Sequence, residues 1–159
     1  MSSRVAVHQV ISAAAPGDGV TGQALAWQRM LNERGHPGKV VADHVDPSLS
    51  GRVVRLDKGG AALLEQGSVV LHYSVWSASA QAALVAPGPL AVYYQNVTPG
   101  RLLRRWNPGL ADICDQAREE LPRVVARARV LMAASAYNAG ELDAGRRRRA
   151  EVIPMILRL

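Results

Sequence analysis

The sequence predicts an α/β domain of three layers: a mostly parallel sheet of about six or seven strands, covered by helices on both faces. Three observations carry this. Short apolar, β-branched runs recur along all 159 residues. Stretches with helical periodicity stand between them, the alternation that a helix-covered parallel sheet leaves in a sequence. Several of the apolar runs also end abruptly in hydrogen-bonding or glycine-rich groups, as strands do at the carboxyl edge of an open α/β sheet, where such sheets hold ligands.

The runs are read as strands at Val5 to Val10, Lys39 to Ala42, Val53 to Leu56, Ser68 to Tyr73, Leu90 to Tyr94, Val130 to Ala134 and Glu151 to Ile153. Between them, Thr21 to Arg34 places Ala24, Leu25, Trp27, Met30 and Leu31 on an apolar side, with Gly35 as the closing cap. Ala78 to Val85 reads as a second helix, stopped by Pro87-Gly88-Pro89. A long polar helix, Gly109 to Arg127, carries Leu110, Ile113, Cys114 and Ala117 at helical spacing, and Pro122 is expected to kink it or to start another helix. Tyr137 to Ala144 closes the set, ended by Gly145. The only low-complexity piece, Arg146 to Arg149, reads as a solvated loop before an edge strand.

A chain of 17.0 kDa buries a core without disulfides or a structural metal. The single cysteine, Cys114, has no internal partner, so the cytoplasm is the expected compartment. No apolar run approaches the roughly 20 residues of a membrane span. Lys and Arg number 19 against 13 Asp and Glu, for a formal charge of +6. Arginine far outnumbers lysine and phenylalanine is absent, which fits genome-wide compositional bias as well as phosphate binding. With no aromatic-studded basic strand beside the charge, no nucleic-acid partner is expected.

Gly17-Asp18-Gly19-Val20-Thr21-Gly22 satisfies the dinucleotide pattern G-x-G-x-x-G, and Asp43 follows the second strand, where that fold keeps its ribose-binding acid. In the predicted strand limits, Ser12-Ala13-Ala14-Ala15-Pro16 intervene before the first glycine and make a long loop rather than a tight turn. The general physics survives this spacer: glycines let backbone N–H groups approach a phosphate at a positive helix N-terminus beginning near Val20.

His72 is a candidate catalytic or ligand-binding imidazole at a strand end facing the cleft mouth, and reads equally as a capping residue. His8 reads as a core histidine, and His36 and His44 as loop residues. No H-x-x-x-H, C-x-x-C or H-E-x-x-H spacing occurs, so no protein-held metal is expected, and no G-x-S-x-G elbow supports a serine hydrolase. Arg101-Leu102-Leu103-Arg104-Arg105-Trp106 alternates basic and apolar groups. It reads either as a surface helix with its apolar residues in the core or as a contact for anionic lipid or an acceptor phosphate.

Taken in order, these pieces resemble the amino-terminal domain of a family 4 glycosyltransferase, a retaining enzyme of two facing Rossmann-like domains (the GT-B architecture). The resemblance covers nearly the whole chain. It rests on Val7-His8-Gln9, Gly17-Asp18, His72-Tyr73-Ser74, Tyr94-Gln95-Asn96-Val97-Thr98-Pro99, Ala134-Ser135-Ala136-Tyr137-Asn138 with Glu141-Leu142, and Val152-Ile153-Pro154. Gln95 stands where the family usually has histidine, so an imidazole role does not carry over to that position. The family's pair of glutamates seven residues apart, its nucleotide-sugar signature, is missing.

The resemblance implies a Rossmann-like domain over 1–154, the start of an interdomain linker at 155–159, and a donor-binding carboxy-terminal domain outside this chain. It implies transfer from a nucleotide diphosphate sugar to a sugar or lipid-linked acceptor, with no cofactor and no metal, by a protein of which this piece alone is inactive. Gly17, Asp18 and Gly19 would contact the diphosphate, while His72, Gln95 and Asn96 would orient acceptor or transferred sugar. The expected location is cytoplasmic, with peripheral contact at the inner face of the membrane. Two alternatives stand beside it: a stand-alone ligand-binding Rossmann-like module, and an NAD(P)-dependent oxidoreductase fragment.

Overall fold

A computed structural model describes residues 5–143 and 149–156 of the chain. Its strands are β1 (Val7–Ala14), β2 (Val40–Val45), β3 (Val53–Arg55), β4 (Ser68–Tyr73), β5 (Leu90–Tyr94), β6 (Val130–Ala133) and β7 (Glu151–Val152). All pair in parallel, in the order β3-β2-β1-β4-β5-β6-β7. The helices are α1 (Gly19–Glu33), α2 (Ala61–Leu64), α3 (Ala78–Val85), α4 (Pro108–Arg127) and α5 (Ala136–Asp143). This is the Rossmann-like α/β arrangement that the alternation of runs predicts. The chain winds outward from β1 to β3, returns to β4 beside β1, and winds the other way, so the strand order reverses between β1 and β4. In open α/β sheets that reversal opens the ligand crevice.

Strand pleating sends neighbouring residues to opposite faces. Val10, Leu71, Tyr73, Val92 and Tyr94 pack with Ala80, Ala83 and Leu84 of α3, Cys114, Ala117 and Val124 of α4, and Leu142 of α5. On the other face Ile11, Val40 and Ala42 pack under Ala24 of α1, and Trp27 of α1 covers Val70 and Tyr93.

Each long helix starts on a side-chain cap. Asp18, Ser77 and Asn107 accept from the backbone N–H groups of Thr21 (2.7 Å), Ala80 (3.1 Å) and Leu110 (3.0 Å). Arg127 ends α4 by donating to the carbonyls of Leu84, Ala86 and Gly88, which fastens the turn between α3 and β5.

Three expectations need correction. β1 starts later and runs on through Ala14, because the parallel ladder to β2 continues to Ala14↔Val45. His44 consequently lies in a strand rather than a loop. α4 passes through Pro122 as one helix, so no second helix starts there. Short helical turns at Pro47–Leu49 and Gly100–Leu102, and the segment Leu56–Leu64, carry too few residues to show a period in sequence. Of the arginine run, residues 146–148 lie outside the described residues, as does Gly145.

Candidate functional site

The longer β1 shortens the glycine connection to Ala15-Pro16-Gly17-Asp18, after which α1 begins at once. The predicted long loop is therefore a compact turn. Gly17 has φ +76°, a conformation open to glycine at no steric cost. The Asp18 carboxylate accepts from both the N–H and the hydroxyl of Thr21 at 2.7 Å, and the N–H of Ala15 donates to the same hydroxyl at 3.1 Å. Among the described residues the backbone N–H groups of Gly17, Gly19 and Val20 have no acceptor. They stand at the positive end of a 15-residue helix, the arrangement that receives phosphate oxygens.

The turn borders a cavity of about 480 Å³ that runs along α1 to Arg29 and Arg52 and is closed on one side by Met155 and Ile156. Neither guanidinium has a carboxylate partner among the described residues. Tyr93 Oη donates to the carbonyl of Ile153 at 2.8 Å, and Gln23 Oε1 accepts from the N–H of Ile156 at 2.7 Å. These two bonds, from fully buried side chains, hold the segment after β7 against the glycine turn.

His72, expected at the cleft mouth, is enclosed in β4 with 2% exposure. It faces α1, because strand alternation sends it to the side opposite Tyr73. Its ring lies 5.3 Å from that of Trp27 and 5.5 Å from that of Tyr93, and Nε2 donates to Gln9 Oε1 at 2.9 Å. Burial pushes its pKa down to about 3, so the ring is neutral. His8 is also buried: Nε2 donates to the carbonyl of Gln66 (3.0 Å) and Nδ1 accepts from the N–H of Lys39 (3.2 Å).

The end of β5 does reach the carboxyl edge. Gln95 is half-buried, its N–H donating to the carbonyl of Tyr73, and both of its amide atoms are buried without a partner. Asn96 is exposed at φ +76°, a left-handed conformation that asparagine tolerates better than most residues. Tyr94 Oη accepts from the N–H of Val97 (3.2 Å) and donates to Glu141 Oε2 (2.9 Å). Arg118 spans the same network, giving one nitrogen to the carbonyl of Val97 (2.8 Å) and another to Glu141 Oε1 (2.9 Å). Burial, and then the bond to Glu141, push the Tyr94 hydroxyl pKa up, so it remains a donor.

Sequence reading did not single out Arg118. Its signal was a charge four residues after Cys114, beside the apolar stripe of α4. Gly100 then seats the loop on α4: its N–H donates to Asp115 (2.9 Å), and any Cβ would overlap that carboxylate.

In the basic segment, Leu103 packs on the core while Leu102 and Trp106 are exposed, so only part of the segment follows the surface-helix reading. Arg104 is bound to Asp112 (2.8 Å) and Asp115 (2.6 Å), and Arg105 lies over the Trp106 ring. Asp43 ends up in a second cavity, apart from the glycine turn.

No family profile and no curated protein matches this chain in sequence. Solved structures do match it. An α-glucosyltransferase in complex with UDP aligns over 88% of this chain and 37% of its own, with a TM-score of 0.56 and 16% identity. The fold is one that UDP-binding glucosyltransferases share. An α-glucosyltransferase with UDP and a 13-mer DNA containing an HMU base aligns over 90% and 41%, again at TM-score 0.56 and 16% identity. Another, with UDP and a 13-mer DNA carrying a central A:G mismatch, aligns over 84% and 38%, at TM-score 0.53 and 17% identity. This chain thus spans about two fifths of those proteins. Two of them carry DNA, so the expectation of no nucleic-acid partner draws no support from them.

Proposed function

We propose that this chain is the acceptor-side, amino-terminal domain of a family 4, GT-B glycosyltransferase, closing over a nucleotide diphosphate sugar held mainly by a second domain. In that reaction the bond between the anomeric carbon and the diphosphate oxygen breaks and a bond from that carbon to an acceptor oxygen forms, with retention. The acceptor proton leaves with the nucleotide diphosphate. The observation that carries the reading is the pair of unsatisfied N–H groups at Gly17 and Gly19, in one cavity with Arg29 and Arg52, with the unsatisfied N–H of Val20 next in the chain.

Asp18 belongs to that turn, but its carboxylate is committed to Thr21. Its part is to hold the turn open rather than to touch phosphate. Gln95 and Asn96 would meet acceptor or transferred sugar at the end of β5. His72 would support them from behind as a neutral ring. An NAD site is disfavoured because the ribose acid and the glycine turn would have to share one cavity, and Asp43 lies in another.

Titrating the chain with UDP, read by amide chemical shifts, tests this. Saturable shifts at Gly17, Gly19 and Val20, with weak affinity and no consumption of UDP-glucose by this chain alone, are expected. Silence at those amides, or saturable micromolar binding of NAD, would overturn the reading.

A further inference from the structure

One face of α1 continues past the glycine turn as the wall of another hollow. Leu25, Gln28, Arg29, Asn32 and Glu33 recur at the three- and four-residue spacing that places side chains on one side of a helix. With Lys39 and Arg52, just ahead of β2 and β3, they line a cavity of about 350 Å³. Leu25, Arg29 and Arg52 also line the glycine-turn cavity, so the two hollows form one groove along α1.

This groove outruns a diphosphate. Arg29 follows Gly19 by ten positions of α1, about 15 Å along the axis. A helical arginine leans back over the turn before its own Cα, which brings the Arg29 side chain to the level of Leu25, still about 9 Å from Gly19. The two phosphorus atoms of a diphosphate share a single bridging oxygen, so a diphosphate seated on the glycine turn leaves the far end of the groove open.

Charge decides what that end receives. It is lined by three cations, Arg29, Lys39 and Arg52, and by one carboxylate, Glu33. None of the four has an ion-pair partner among the described residues, although Arg29 and Glu33 stand four apart on the helix. The Gln28 and Asn32 amides are bonded to each other at 2.9 Å, and Asp18, at the opposite end, is committed to Thr21. Two positive charges are left over. A dianion cancels both, a monoanion cancels one, and a cation adds to them. Guanidinium groups also present the paired N–H donors that phosphate oxygens accept.

We propose that the far end of this groove binds a phosphate monoester, its dianionic phosphate held between Arg29 and Arg52 with Lys39 beside it. The site is separate from the diphosphate on the glycine turn and does not depend on the glycosyltransferase reading. The two anions are screened from each other, because their separation exceeds the Debye length of about 8 Å at physiological salt.

Amide chemical shifts of the full chain, titrated at pH 8 with phenyl phosphate, phenyl sulfate and phenol, test this. The probes share one body and differ in charge: above its second ionisation, at about pH 6, the phosphate is a dianion, whereas the sulfate is a monoanion and phenol is neutral. Saturable shifts at Gly38, Lys39, Gly51 and Arg52 are expected with phenyl phosphate, with an affinity about threefold or more above that for the sulfate and higher still above that for phenol. Shifts at Gly17 and Gly19 report the turn and are fitted apart. Arg29→Gln and Arg52→Gln, both at exposed positions, are each expected to weaken the ester about threefold with the circular-dichroism spectrum unchanged. Glu33→Gln removes the opposing charge and is expected to tighten it about twofold.

A phosphate ester that fails to saturate these amides, binds no more tightly than the sulfate, or keeps its affinity in both arginine variants overturns the proposal, as does weaker binding in Glu33→Gln. UDP shifts at the glycine turn are read separately. Their absence with ester binding intact overturns the glycosyltransferase reading and leaves the phosphate site standing.

Discussion

The Tyr94 hydroxyl donates to Glu141 Oε2 at 2.9 Å while accepting from the N–H of Val97, so one phenol ties the end of β5 to α5. Past the bond from the Gln95 N–H to the Tyr73 carbonyl, the loop bearing Gln95 and Asn96 is held by this phenol, by Arg118 and by the seat of Gly100 on Asp115. Tyr94→Phe removes both bonds and leaves the buried Val97 N–H unsatisfied, an expected loss of about 1–3 kcal/mol in urea denaturation. Glu141→Gln keeps an acceptor for Tyr94 but gives up the charge facing Arg118, and is expected to cost less. The opposite ranking would show that the ion pair, rather than the phenol, fixes the loop.

Asn96 sits at φ +76° with its side chain exposed. Asn96→Gly is expected to leave stability within about 0.5 kcal/mol, whereas Asn96→Val, β-branched in a left-handed conformation, is expected to cost more than about 1 kcal/mol. Equal melting temperatures for the two variants would show that the loop relaxes out of this conformation.

For His72 the sign follows from its folded pKa, about 3, lying below the usual 6.5. Between those values the unfolded chain binds a proton that the native one does not, so stability is full above pH 6.5 and is lost as the pH falls toward 3. Each such proton gives a slope of about 1.4 kcal/mol per pH unit, so at pH 5 the loss is about 2 kcal/mol. Burial lowers the pKa of His8 as well, which adds in the same direction. Urea midpoints measured at pH 7 and pH 5 check this, with His72→Gln expected to flatten the dependence. Equal midpoints in the parent chain would mean that the ring is reached by solvent.

The two glycines of the turn should respond differently. A Cβ on Gly17 meets nothing within 4 Å but inherits φ +76°, so Gly17→Ala is expected to cost about 1–2 kcal/mol. A Cβ on Gly19 approaches the Met155 Cε methyl at 3.1 Å with ordinary backbone angles; that methyl ends a flexible side chain and gives way, so Gly19→Ala is expected to cost less than about 0.5 kcal/mol. Denaturation that finds Gly19→Ala the worse variant would show that Met155 is fixed.

The parallel sheet was legible because five of its strands are apolar runs bounded by turn residues, and β4, β5 and α3 begin and end where the pattern says. The end of β1 was not. Ser12, Ala13 and Ala14 carry no β-branched signal, and what extends the strand through them is the ladder to β2, a tertiary cause. The same error set the length of the glycine connection. His72 shows a second limit: a strand-end histidine reads alike whether it faces solvent or a helix, and the choice here is made by Trp27, 45 positions earlier on α1. The free N–H groups of the glycine turn were legible, because glycines at a helix start leave its first donors open, whereas the left-handed backbone at Asn96 was not read from the sequence.

The basic segment gives the last test, because the structure divides its arginines. Arg104 is engaged by Asp112 and Asp115, whereas Arg101 and Arg105 have no carboxylate partner among the described residues and stand beside exposed Leu102 and Trp106, the latter 79% exposed. A basic side chain near an anionic bilayer is worth about 1 kcal/mol, so Arg101→Ser with Arg105→Ser is expected to weaken sedimentation with phosphatidylserine vesicles by about 2 kcal/mol, roughly 30-fold, at low salt. The contribution should fade as ionic strength rises and the Debye length contracts. Arg104→Ser removes a cation that is already neutralised. It also exposes two carboxylates to the same surface, so it too is expected to weaken vesicle binding, by less than the double change, while loosening the junction between Gly100 and α4. Vesicle binding that is unaltered in the double variant would leave the segment as solvated surface. Binding that depends on Arg104 most of all would mean that its ion pairs open at the membrane.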